Sequence, residues 1–273
     1  MITTSKKELR VAIYQYQARD ELPSERLQHL SQTLQQLGKG GADLLVCPEL
    51  FLSGYNVGKR VVEYSESRNG SFAAQVAELA TQWQIAILYG YPEQDGPTRY
   101  NSALCIGKEG GQLVNHRKLF LPSDFERRWF ATGDSLTLFE LSGWKIAILI
   151  CYDVEFPEAV RACAKAGADL VLVPTALKEN WGVVAHRVVP TRAFENGVFL
   201  IYANYAGQEG DWRYLGHSCV VSPAGEDLVR GSQEEQLLTA TLEPNQLSQA
   251  RKTLPYLKDL EKGLEGLRKT LII

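Results

Sequence analysis

The sequence predicts an α/β protein built as a four-layer αββα sandwich of two pseudo-symmetric halves. Three observations carry this. Short runs of Val, Ile and Leu alternate with helical apolar patterns, as expected when buried strands are covered by helices. An internal echo pairs Gly41–Pro48 (GADLLVCP) with Gly167–Pro174 (GADLVLVP). Each copy follows a helical pattern, which itself follows a strand-like run: RVAIYQ from Arg10, KIAILI from Lys145. No linker or low-complexity segment divides the 273 residues. Two helix-covered sheets would then pack sheet against sheet in one domain, 1–273.

The strand-like runs are Leu9–Tyr16, Leu44–Cys47, Ile85–Tyr91, Ser102–Ile106, Trp144–Ile150, Leu170–Val173, Val198–Tyr202 and Cys219–Val221. Leu27, Leu30, Leu34 and Leu37 recur at helical spacing, with Ser24 as the expected N-cap and Gly38 as the stop. Phe72, Val76, Leu79 and Trp83 form a second stripe; Val160, Cys163, Ala164 and Gly167 form a third. The segment 246–273 is charged and helix-prone, broken by Pro255, and reads as a peripheral extension.

Composition narrows the function. With 45% apolar residues, 22% charged and a net charge of -3, the chain is globular rather than disordered. It carries no basic footprint for nucleic acid. No apolar run approaches the ~20 residues of a membrane span, and the polar N-terminus lacks a signal peptide. Five Cys without paired short spacings suggest neither a disulfide framework nor a zinc ribbon. The four His also lack metal-ligand spacing, so no metal or cofactor is implied. A cytoplasmic enzyme is the expectation.

Ligands of open α/β sheets bind beyond the carboxyl ends of strands, and three reactive groups fall there. Cys151 follows WKIAILI and precedes Pro157, which suits a helix first turn. A strand-to-helix turn presents a side chain at the sheet edge beside free backbone N–H groups. A helix N-terminus would also lower the thiol pKa. The other cysteines lie within apolar runs and read as small buried hydrophobes. A thiol nucleophile needs a base; His116 is the positional candidate among the histidines, Glu49 the alternative. Glu49 follows LLVC and Pro48, and desolvation there would raise its pKa toward neutrality. Lys118, in His-Arg-Lys-Leu-Phe, could neutralise both groups and donate to an oxyanion. A solvated basic run with Arg117 is the plainer reading of that lysine.

At these positions the sequence resembles the nitrilase superfamily of carbon–nitrogen hydrolases. The matching stretches are Leu45–Tyr55, Asn115–Leu121, Ile148–Glu158, Arg192–Gly197 and Gly216–Gly225, in family order across almost the whole chain. The resemblance implies a triad of Glu49, Lys118 and Cys151, with the Tyr152 backbone N–H helping to hold the oxyanion. A second glutamate that positions substrate would match Glu126, whose alternative is a surface charge between Asp124 and Arg127. The implied fold is the αββα sandwich, dimerised through exchanged tails that would include Leu254–Leu260.

Several segments look most like aliphatic and ω-amino amidases, 5-aminopentanamidase among them. Leu119-Phe120-Leu121 and Leu177–Trp181 depart from that group. The expected reaction is hydrolysis of a small primary amide through a Cys thioester. Nitrile or N-carbamoyl amine hydrolysis uses the same triad, and a non-catalytic scaffold is the remaining alternative. For an amine-bearing substrate, Glu155, Asp124 and Glu179 are the candidate acidic partners.

Overall fold

Apolar residues of adjacent parity along the strands face two different environments, and this splits the core into three layers. In a computed structural model describing residues 6–268, one six-stranded sheet has the order β15 (Gln236–Leu242), β1 (Leu9–Gln15), β3 (Leu44–Val46), β4 (Ala86–Asp95), β5 (Thr98–Ile106) and β6 (Gln112–Arg117). The second has β7 (Thr137–Leu141), β8 (Trp144–Ile148), β9 (Leu170–Pro174), β10 (Phe199–Ala203), β13 (Cys219–Val221) and β14 (Asp227–Arg230). In both, an antiparallel edge strand is followed by three parallel strands and then two antiparallel ones. The sequence echo therefore marks two halves of the same topology. β1 corresponds to β8 and β3 to β9.

Val11, Ile13, Leu44 and Val46 pack between the sheets against Ile146, Ile148, Leu170 and Leu172. Their neighbours Ala12, Tyr14 and Leu45 face outward onto Leu27, Leu30 and Leu34 of α1 (Pro23–Leu37) and Val76 and Ala80 of α3 (Ser71–Trp83). On the opposite side, Ala147, Leu149, Val171 and Val173 meet Val160 and Cys163 of α5 (Pro157–Lys165) and Val189 and Ala193 of α6 (Val189–Asn196). Helix, sheet, sheet and helix make four layers.

Some local expectations need correction. Ser24 is not the N-cap of α1: Leu22 is, with Pro23 as the first helical residue. The proline φ is already helical, and Glu25 returns a carboxylate to the Leu22 N–H at 2.6 Å. α5 ends at Lys165, before Gly167, whose φ of +94° does not continue a helix. β4 runs past Tyr91 to Asp95, because it forms a long hairpin with β5 through Pro92. The C-terminal segment forms α7 (Pro244–Thr253) and α8 (Tyr256–Arg268), separated at Pro255. The end of the 246–273 segment, from 269 onward, lies outside the described residues, as do residues 1–5. No described helix is long and apolar enough to cross a membrane.

Candidate active site

Three of the expected residues leave strand ends and converge. Glu49 sits just beyond β3, Lys118 just beyond β6 and Cys151 beyond β8. The first two belong to one sheet and the third to the other. Glu49 and Lys118 are fully buried. Lys118 Nζ donates to Glu49 Oε1 at 2.6 Å and to Glu126 Oε1 at 2.8 Å. Glu126, on α4 (Asp124–Trp129), is buried rather than a surface charge. The Ser123 hydroxyl caps that helix by accepting from the Glu126 N–H, which turns the carboxylate inward.

The turn bearing Glu49 depends on a close approach. Leu50 has a φ of +48°, and a Cβ on Gly90 would stand 2.2 Å from the Leu50 nitrogen. Only glycine lets β4 pass so near. Asn101 on β5 donates to Glu49 Oε1 at 2.7 Å, and the Tyr55 hydroxyl donates to Glu126 Oε1. Glu49 Oε2 has no hydrogen-bond partner among the described residues. It is the free proton acceptor of the group.

Cys151 opens a short 3-10 helix, Cys151–Glu155, with a φ of +47°. A left-handed backbone at a non-glycine residue costs about 1–2 kcal/mol and persists where the surroundings impose it. The thiol meets the Thr175 hydroxyl and the Ala176 N–H, both just beyond β9. The other four cysteines are buried in the apolar layers and free, as the sequence suggested.

Electrostatics differ from the sequence expectation at one point. Burial pushes the Cys151 thiol well above its ordinary value, and Glu49 adds to this against the pull of Lys118. The helix below it is a single 3-10 stretch, too short to counter desolvation. This upward push runs opposite to the lowering expected of a helix N-terminus. Burial also raises Glu49, which reaches about 7 with Lys118 pulling down and Glu126 pushing up. Burial alone would lower Lys118, but Glu126 and Glu49 hold it well above the usual lysine value. A half-buried thiol that is pushed upward thus faces a carboxylate raised to about 7, beside a lysine held well above its usual value. That set can deprotonate a nucleophile, stabilise an oxyanion and protonate a leaving group.

His116 does not join this group. It is buried, bonded through Nδ1 to Thr137, and stands 3.8 Å from Asp153. A cavity of about 460 Å³ opens over Cys151, walled by Tyr55, Tyr152, Leu177, Trp181 and Trp212 and carrying the charged residues Glu155 and Lys178. Lys178 Nζ lies 3.4 Å from the Trp212 ring centre. Of the three candidate acidic partners, Glu155 alone lines this cavity. Asp124 is fully exposed and pairs with Arg127, and Glu179 lies outside, 3.9 Å from Arg213. Tyr55, Asn101 and Thr175 were not singled out from sequence. Tyr55 lies within the quoted Leu45–Tyr55 stretch, but nothing local marks a tyrosine as a glutamate's partner.

The chain is similar to known proteins along nearly its whole length. The family model described as carbon-nitrogen hydrolase matches residues 10–252. A protein of Pseudomonas protegens named "Hydrolase in pqqF 5'region" is 42% identical, over 93% of this chain and 89% of its own. An (R)-stereoselective amidase of a Pseudomonas species is 31% identical, covering 94% and 93%. Among solved structures, a cysteine-to-alanine mutant of a Nesterenkonia amidase of the nitrilase superfamily superposes with a TM-score of 0.84 at 32% identity, covering 97% and 98%. A further mutant of that amidase, 33% identical with a TM-score of 0.83 over 94% and 95%, carries the acetamide moiety of fluoroacetamide covalently on its active-site cysteine.

Proposed function

The chain belongs to the carbon–nitrogen hydrolase family and is a hydrolase of amides; from that premise we propose that it converts a small aliphatic primary amide to a carboxylate and ammonia through a thioester on Cys151. The observation that carries this reading is the buried lysine shared by two glutamates beside a strained, cavity-facing cysteine. Glu49 Oε2 takes the Sγ proton as sulfur attacks the carbonyl carbon. Lys118 Nζ and the Tyr152 backbone N–H hold the oxyanion. Glu49 returns the proton to the departing nitrogen, and ammonia leaves. Water then gives a proton to Glu49 while attacking the thioester, which releases the acid and restores the thiol. Glu126, bonded to Lys118 and Tyr55, fixes the lysine and adds a carboxylate at the substrate amide.

The cavity supports an ω-amino tail on that amide. Glu155 is half-buried, burial raises its pKa against the pull of Lys118 and Arg192, and its carboxylate makes no ion pair among the described residues. A substrate ammonium would supply the missing partner. The test is ammonia release from propionamide, butyramide, 5-aminopentanamide, glutaramate, a nitrile and an N-carbamoyl amine, with wild type and Cys151→Ala. Turnover of the amides, highest for 5-aminopentanamide and absent in the variant, is the expected result. Preference for glutaramate would move the tail from Glu155 to Lys178. Activity retained in Cys151→Ala would overturn the thioester route.

A further inference from the structure

The proposed base and lysine come from one sheet and the nucleophile from the other. Something must set their separation across the middle of the sandwich. Apolar packing between β-sheets is non-directional and does not specify position as hydrogen bonds do. We propose that Asp153 is the positioning residue that locks the Lys118 loop to the Cys151 turn. This deepens the functional reading above and rests on it.

Asp153 is fully buried, two residues after Cys151, and both of its oxygens are committed to backbone. Oδ2 accepts from the Ile150 N–H at 2.9 Å, on the residue just before the cysteine. Oδ1 accepts from Phe120 N at 2.9 Å and Leu119 N at 3.2 Å, on the two residues just after the lysine. One carboxylate therefore clasps the chain immediately behind Cys151 and immediately ahead of Lys118. The left-handed φ at Cys151 lies between the two backbone segments that Asp153 anchors, Ile150 and its own. Asp153 touches no reacting atom in the proposed scheme. Its neighbour His116 Nε2, at 3.8 Å, is not hydrogen-bonded, so the backbone amides are its firm partners. An amide side chain could accept on one side only and would present N–H to N–H on the other.

Displacement of a reacting group by about 1 Å costs about 10²-fold in rate, so loosening this clasp should lower kcat and spare KM. Two perturbations test it from opposite ends. Asp153→Asn breaks it at the acceptor. Phe120→Pro removes one donor N–H at an exposed loop residue, and Phe120→Ala, which keeps the N–H and loses the same ring, is its reference. Folded protein is first isolated by size-exclusion chromatography and checked by circular dichroism, since misfolded chains would label at all five free cysteines; active sites are then counted by saturating iodoacetamide labelling, assigned to Cys151 by peptide mapping. The expected result is a kcat per labelled site at least about tenfold lower in Phe120→Pro than in Phe120→Ala, with KM within about threefold. Labelling itself should be several-fold slower in Phe120→Pro, because Lys118 no longer faces the sulfur. Asp153→Asn should match Phe120→Pro wherever it folds; if it does not fold, the proline–alanine comparison decides. Equal kcat and equal labelling rates in the two Phe120 variants would overturn the proposal. Should wild type hydrolyse no amide, the functional reading falls, while the labelling comparison still decides the role of Asp153.

Discussion

Replacing Glu126 by Gln isolates the electrostatics of the site. Glu49 and Glu126 bond the same Lys118 nitrogen at 2.6 and 2.8 Å, so their bonded oxygens stand within about 5 Å of each other. Two like charges at that separation repel by about 3 kcal/mol at an effective dielectric of about 20, or about two pKa units. Glu126 is one of the groups that push Glu49 up to about 7. A neutral glutamine keeps an oxygen for the Lys118 and Tyr55 bonds and removes the charge. Glu49 should then ionise one to two pH units lower. The assay is the rate of Cys151 alkylation by iodoacetamide between pH 5 and 9, which needs no substrate turnover. In wild type the rate should climb through about pH 7 as Glu49 becomes able to accept the thiol proton. In Glu126→Gln that climb should shift to between about 5 and 6. A limb that stays put, or moves to higher pH, would refute the idea that Glu126 holds Glu49 near neutrality.

Other variants probe the same arrangement. Lys118→Met leaves two buried carboxylates without their cation and should cost about 3–5 kcal/mol in urea unfolding. Glu49, already raised by burial and pulled down by Lys118, would rise further in the folded state, so the loss should be greater at pH 8 than at pH 5; equal losses would contradict this. Gly90→Ala places a Cβ 2.2 Å from the Leu50 nitrogen and should cost about 2 kcal/mol or more while disturbing Glu49; a stable, fully active variant would show that the turn yields. Glu155→Gln should raise KM for 5-aminopentanamide about tenfold and leave butyramide unchanged. An equal rise for both amides would remove the ammonium assignment.

Much of this was legible because each half carries its parallel strands as continuous apolar runs. Glu49 and Cys151 stand out as the first reactive groups after such runs. β15 was not legible: it pairs Leu242 with Leu9 across nearly the whole chain, and QLLTATL holds only two buried residues, Leu238 and Leu242. β7 is likewise an edge strand with a single buried residue, Phe139. At the site, Glu126 was visible only through resemblance, since its flanks, Asp124 to Arg128, are those of a surface helix. Asn101 and Tyr55 act across 52 and 71 residues of sequence, and nothing local encodes such pairings. The upward push on the thiol was not legible, because a helix start is visible in sequence and desolvation is not.

That upward push bears on how the proposed reaction begins. Counting Glu49, Glu126 and Lys118 as charged leaves one excess negative charge in a buried site. A thiolate would add a second, which a low dielectric opposes. Burial pushes both the Cys151 thiol and Glu49 up, which works against that second charge. In the proposed scheme, deprotonation of Cys151 toward Glu49 is a transfer within the group, which leaves its total charge unchanged and moves the negative charge onto sulfur beside Lys118. In the proposed scheme Lys118 serves at both ends of the step, attracting Glu49 before the transfer and the oxyanion after it. A histidine partner would have to gain charge during that step; a lysine held well above its usual pKa is charged throughout.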